Sequence, residues 1–290
     1  MLLVNRDPEA GASGSREAAS REAALQAKER AENFPVALRL LPQVPRRHLQ
    51  AVYDVVRTID DLGDEAAGDR VAQLDAFRDD LTQVWGGRPE HPVLRRLQPA
   101  AAVVSEEPFA DLVAANLQDQ RVSSYATRTD LLGSCALSAN PIGRLVLQVF
   151  GVDTPERRAL SDDVCTALQL LEHWQDVAED RRAGRVYLPA SDLARHGVRI
   201  EDLDRTRSTP QVSALLQGQT TWAAQLLDSA VPLVRGLNGW ARVAVAGYAA
   251  GGRATVLALR RPGVDVLQVT PRPTRSDTAR LGLRLLAGRP

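Results

Sequence analysis

The sequence predicts an all-α single domain. Apolar residues recur at helical spacing in one segment after another, the breaks between segments fall on Gly and Pro, and no convincing series of alternating strands appears. With 290 residues, 44% of them hydrophobic, the chain can bury one large core.

Gly, Ser, Ala and charged residues dominate 1–15, and the composition turns helical from about 16 to 32 before Pro35 breaks it. We take 1–18 as a disordered tail and 19–288 as the helical domain. Helical periodicity then runs near 46–65, 69–86, 107–122, 138–150, 155–180, 210–235 and 239–260. Breaks fall at Gly86-Gly87-Arg88-Pro89, Gly151 to Pro155, Pro189, Pro210 and Arg261-Pro262-Gly263. Thr154-Pro155-Glu156 reads as an N-cap with proline at the first helical position. No linker or repeat of solenoid period is evident.

A formal net charge of zero leaves no electrostatic footprint for nucleic acid. Cys135 and Cys165 lack metal-site spacing and read as packed thiols in a reducing compartment. Met1-Leu2-Leu3-Val4 is too short for a signal-peptide core, and no run approaches ~18 apolar residues. These features predict a cytoplasmic protein, soluble or peripheral to the inner face of a membrane.

Two separated stretches carry aspartates four apart: Tyr53 to Glu65, with Asp60 and Asp64, and Gln169 to Asp180, with Asp176 and Asp180. On a helix each pair shares a face. At ~100° per residue, Tyr53, Arg57, Asp60 and Asp64 fall within roughly 60°, as do Gln169, His173, Asp176 and Asp180. Asp61 and Glu172 flank the two stripes. Like charges at this spacing repel by roughly 0.2–0.5 kcal/mol on an exposed helix. Two facing stripes would need cations between them, and oxygen-only ligands suit Mg²⁺ bridging a diphosphate. The alternative is a pair of solvated surface faces. Against it stand apolar neighbours such as Val52, Val55, Ile59, Leu170, Leu171 and Trp174, since ionised carboxylates are seldom buried unpaired.

Other constellations are weaker. Glu172-His173 lacks the Glu-x-x-His spacing of carboxylate-bridged di-iron bundles. Gly247 to Gly252 is glycine-rich inside a helical pattern, which favours close helix packing over a phosphate loop. Arg121, Arg128, Arg272, Arg275, Arg280 and Arg284 could meet anionic lipid headgroups, and Leu281 to Leu286 is amphipathic; a solvated terminal helix is the plainer reading.

These residues resemble the squalene and phytoene synthases over roughly 30–285. The resemblance rests on the two acidic motifs, on Tyr53 and Arg57, and on Gly184-Arg185-Val186-Tyr187-Leu188-Pro189. Three stretches are similar to the hydroxysqualene synthases of the hopanoid pathway: Glu32 to Ala37, Ser138 to Arg144, and Trp174-Gln175-Asp176-Val177. The resemblance implies a helical isoprenoid-synthase fold with a central cavity. Asp60, Asp64, Asp176 and Asp180 would hold Mg²⁺, with Mn²⁺ as a substitute, and Asp61 and Glu172 would stand beside them. Tyr53, Arg57, Gln169, Arg185 and Tyr187 would meet the substrate.

The implied reaction converts presqualene diphosphate and water to hydroxysqualene and diphosphate without NADPH, next to other enzymes of the squalene pathway. Ser138 and Asn140 put polar groups where relatives are apolar and are expected to position the capturing water. An Asn capping the turn before Pro141 is the structural alternative. The chain departs from the subfamily at Glu172, His173, Ser134 and Ser124. Glu172 adds a carboxylate near Asp176 and is expected to tighten metal binding or raise a neighbour's pKa, and losing an aromatic ring at Ser134 removes a wall of the cavity and a face for the cation. The rival activity is head-to-head condensation of two allylic diphosphates. A repurposed binding or assembly protein would be expected to have lost its aspartates, and all four remain.

Overall fold

The computed structural model describes residues 41–289. The expected tail, the helix at 16–32 and the Glu32 to Ala37 stretch lie outside the described residues. Contacts divide the chain into two units, Met1–Arg46 and Arg47–Pro290, and the second holds both acidic stretches.

The helices are α1 (Gln43–Asp64), α2 (Arg70–Gly86), α3 (Pro92–Leu97), α4 (Glu107–Asp119), α5 (Arg128–Ser138), α6 (Asn140–Val149), α7 (Pro155–Gln175), α8 (Val177–Arg182), α9 (Ala190–Arg195), α10 (Pro210–Leu226), α11 (Ala230–Arg235), α12 (Gly239–Leu259) and α13 (Arg275–Leu286). Among the described residues there is no strand; a lone parallel bridge joins Ser124 and Val186. The all-α expectation holds.

Helix α7 runs through the core. Its Val164, Ala167, Leu170, Leu171 and Trp174 are buried and pack with residues of α10, α11 and α12. Close approach is built in by small residues. A Cβ at Gly143 would sit 2.3 Å from Ser161 Oγ, and one at Gly252 would sit 2.5 Å from Leu168 Cδ2. Gly252 thus serves the packing read from the glycine-rich stretch, whereas Gly247 and Gly251 face open space. Cys135 and Cys165 are buried free thiols, as expected.

Three expected helices are broken. The segment 138–150 starts at Asn140, because Ala139 (φ −107°, ψ −46°) interrupts it after α5. The segment 155–180 divides at Asp176, whose φ of −105° and ψ of 18° separate α7 from α8. The segment 210–235 divides into α10, a 3₁₀ turn and α11. Helix α5 opens with a capping box in which Thr127 and Asp130 exchange side-chain and backbone bonds.

Candidate active site

The first acidic stretch occupies the last turns of α1, with Val55 and Ile59 buried on the opposite side. Arg57 lies 2.7 Å from Asp61 Oδ1 and 3.4 Å from Glu65 Oε1. Its Nε is buried without a hydrogen-bond partner among the described residues. Asn116 of α4 donates to Asp60 Oδ1 at 3.4 Å, and Gln120 donates to Gly63 O at 3.0 Å. The approach of α4 depends on Gly63, where a Cβ would stand 2.0 Å from Asn116 Oδ1. Burial pushes the Asp60 carboxyl up to about 6, with the Asn116 bond and the Arg57 charge opposing it.

The second stretch bends at the α7–α8 junction. Asp180 N still donates to Asp176 O at 2.8 Å, so the four-residue spacing survives the break. Burial, then the neighbouring Asp176 charge, pushes Asp180 up to about 7. Burial also raises Asp176, opposed by a Thr270 hydrogen bond and by Arg272. Glu172 is exposed and its charge raises the Asp180 carboxyl, the kind of neighbour shift expected from sequence.

The Gly184 to Pro189 segment brings the two stretches together. Gly184 has φ of 82°, a left-handed turn that side chains resist, so the chain reverses directly after α8. Val186 N donates to Ser123 O at 2.8 Å and Ala190 N to Tyr125 O at 2.9 Å, fixing the segment in an extended path. Arg185 then reaches Asp64 at 3.2 Å, and its charge also opposes the upward shifts of Asp180 and Asp119.

Beside Arg185 stands an aromatic column. His173 stacks on Tyr187 at 3.6 Å and 10°, and Tyr187 on Tyr125 at 6.0 Å and 24°. Burial, helped by the Arg185 charge, lowers His173 to about 3, so the ring is neutral and can accept from Gln169 Nε2 at 3.3 Å. His173, Trp174, Asp180, Arg185 and Tyr187 line one narrow crevice.

Ser134 does not leave a bare wall, because the Tyr125 hydroxyl donates to its Oγ at 2.9 Å. Ser138 donates to the Ser134 carbonyl at 3.0 Å. Asn140 is buried and is not a cap: the cap position is Ala139, and Asn140 Oδ1 accepts from Thr166 at 2.9 Å. Its amide nitrogen has no hydrogen bond among the described residues. Tyr53, on α1, is half-buried one turn before Arg57.

Sequence reading passed over Asn116, Asp119 and Gln120. Their signal was a polar cluster ending a helix and continuing the face that buries Phe109, Leu112 and Val113. Among the described residues no three His, Cys, Asp or Glu groups converge at metal-ligand spacing.

Arg185 thus links two carboxylate stretches within an all-α domain. The family model for squalene/phytoene synthase matches residues 27–278, and the chain belongs to that family. It is 34% identical over 208 residues to a hydroxysqualene synthase of Rhodopseudomonas palustris, covering 70% of each protein. It is 29% identical over 203 residues to a presqualene diphosphate synthase of Zymomonas mobilis, covering 68% of each. The crystal structure of squalene synthase HpnC from Alicyclobacillus acidocaldarius superposes with a TM-score of 0.76 at 39% identity, covering 80% of this chain and 89% of that one. The family comprises head-to-head prenyl transfer and hydroxysqualene synthesis.

Proposed function

We propose that the chain converts presqualene diphosphate and water to hydroxysqualene and diphosphate. The observation that carries this reading is Arg185, paired with Asp64 at 3.2 Å and within electrostatic reach of Asp180, so that one guanidinium links the two acidic stretches, whose Asp60 and Asp180 carboxyls are raised by burial. The donors are carboxylate oxygens, a donor type that suits Mg²⁺ or Mn²⁺ completed by phosphate oxygens and water. Asp60, Asp64, Asp176 and Asp180 would hold the metal, with Asp61 and Glu172 beside them. Bound there, it would neutralise charge growing on the departing diphosphate.

The rest falls to the chain's own groups. The orphaned Arg57 Nε and the Arg185 guanidinium donate to diphosphate oxygens, as the planar guanidinium fork suits phosphate. Tyr53 and Gln169 fix the approach of the substrate. The carbon–oxygen bond to diphosphate breaks with its electron pair leaving on oxygen, and the cyclopropane opens. Tyr187, stacked between His173 and Tyr125, adds an aromatic wall beside the cation, with the neutral His173 contributing no repelling charge. Asn140, through its amide nitrogen, and Ser138 orient the water whose oxygen bonds to carbon and whose proton is released. No electrons are gained or lost, so NADPH has no role in this step.

Similarity to the hydroxysqualene synthase of Rhodopseudomonas palustris supports this reading, and similarity to the presqualene diphosphate synthase of Zymomonas mobilis supports the rival condensation. Purified protein with Mg²⁺ and no reductant, offered presqualene diphosphate or farnesyl diphosphate separately, tests it. Hydroxysqualene from the first alone is expected. Presqualene diphosphate formed from the second would make it a condensing synthase.

A further inference from the structure

Charge is unevenly divided along this neutral chain. Residues 230–290 hold ten arginines, no lysine and two acids, Asp265 and Asp277, a net charge of +8 balanced by −8 in the preceding part. Both acids are already engaged. Asp277 pairs with Arg261 at 3.2 Å and Arg280 at 3.0 Å, while Asp265 accepts from Ser208 at 2.6 and 2.8 Å. Arg275 and Arg284 are exposed and make no ion pair among the described residues.

The same stretch leaves large apolar side chains in solvent: Trp240 (39% exposed), Val243 (44%), Leu257 (39%), Val269 (57%) and Leu283 (69%). Trp240, Val243 and Leu257 fall on one stripe of α12, within roughly 100° at ~100° per residue. On α13, Leu281 and Leu285 are buried, Leu283 lies on the opposite side of the helix, and Arg280 and Arg284 are exposed between them. The two helices are antiparallel, since Arg242 near the start of α12 donates to Leu286 O near the end of α13, at 2.6 Å. Their connection touches the acidic site: Thr270 donates to Glu179 at 3.3 Å, and Gln175 donates to Pro271 O.

We propose that the outer face of the α12–α13 hairpin docks on an anionic lipid bilayer. Exposed Trp and Leu among unpaired arginines match the interfacial zone, where apolar groups enter the headgroup boundary and arginines meet lipid phosphates. A nucleic-acid backbone would answer the arginines but offers Leu283 and Val243 no partner. Docking would place Val269, and through Thr270 the second acidic stretch, beside the layer that dissolves a long prenyl chain. The inference holds whichever prenyl diphosphate the site uses.

Co-sedimentation of the full chain with phosphatidylcholine vesicles, with and without phosphatidylglycerol, tests it. Binding is expected only with phosphatidylglycerol, and should weaken with salt. It should fall about tenfold or more in Arg275→Glu/Arg284→Glu and in Trp240→Ser/Leu283→Ser. Arg88→Glu, an exposed arginine elsewhere, should bind as wild type. Turnover of detergent-dispersed substrate should be unchanged in all these variants, which separates a docking defect from a damaged site. No vesicle binding by the wild type, or wild-type binding by both double variants, would overturn the proposal. A dimer in solution lost in Trp240→Ser/Leu283→Ser, with no vesicle binding, would assign the face to a second copy instead.

Discussion

Arg185 and Asp64 stand 3.2 Å apart across 121 residues of sequence and join the two acidic stretches. The pair is exposed enough, at 32% and 56% of the side chains, to add little stability, roughly 0–1 kcal/mol. Its consequence lies in where it puts the guanidinium, beside Asp64 and within electrostatic reach of Asp180. Arg185→Ala should therefore cost under about 1 kcal/mol in denaturant unfolding. Turnover should fall on the order of 100-fold, as when one donor to a developing anion is removed. A variant that unfolds early yet keeps its turnover would reverse these roles.

Gly63 sets how closely α4 meets the first stretch. A methyl group there would push Asn116 aside and break its bond to Asp60. Gly63→Ala should lower turnover and destabilise by about 1–3 kcal/mol, the range for overpacking. Gly247→Ala, in open space, serves as the control and should do neither. Matching melting temperatures and rates for Gly63→Ala and wild type would show that α4 can shift without consequence.

The acid limit of stability should depend on Asp192. Burial pushes its carboxyl up, but bonds from Arg128 at 2.6 Å and Gln219 at 2.7 Å outweigh this and hold it below the usual carboxylate value. A carboxyl depressed in the fold contributes stability that is present above its unfolded pKa, near 3.8, and lost as pH falls through its folded value. Asp192→Asn should be less stable than wild type at neutral pH, with the gap closing as pH falls below about 4. Urea midpoints across pH measure it; a gap that widens with acid would contradict the assignment.

Asn140 offers a separable test of water capture. Asn140→Leu leaves the buried Thr166 hydroxyl without its acceptor, at a cost of about 1–3 kcal/mol. Product ratios carry the functional question. A shift from hydroxysqualene to other products of the same cation is expected, and an unchanged mixture at lowered stability would leave Asn140 a purely structural residue.

The long helices and the carboxylate face of α1 were legible because burial imposes a period on Val52, Val55 and Ile59 that the sequence displays. The break at Asp176 was not, because the four-residue hydrogen bond to Asp180 persists through it and keeps the spacing helical. Helix α3, of six residues, is too short to show a period. Helix α5 carried a readable start in Thr127 and Asp130, which periodicity alone overlooks. The contribution of α4 was hidden for a different reason: Asn116 meets Asp60 across 56 residues, a closeness set by packing at Gly63. The Tyr125 hydroxyl at Ser134 is likewise a tertiary compensation that a one-position comparison reads as a loss.

The most direct test of the central claim is turnover of presqualene diphosphate with Mg²⁺, without reductant, in water enriched in heavy oxygen. Capture of the carbocation predicts heavy oxygen in the hydroxyl group of ring-opened hydroxysqualene and none in the released diphosphate. Heavy oxygen in the phosphate, with the cyclopropyl alcohol as product, would mean cleavage at phosphorus and contradict the account.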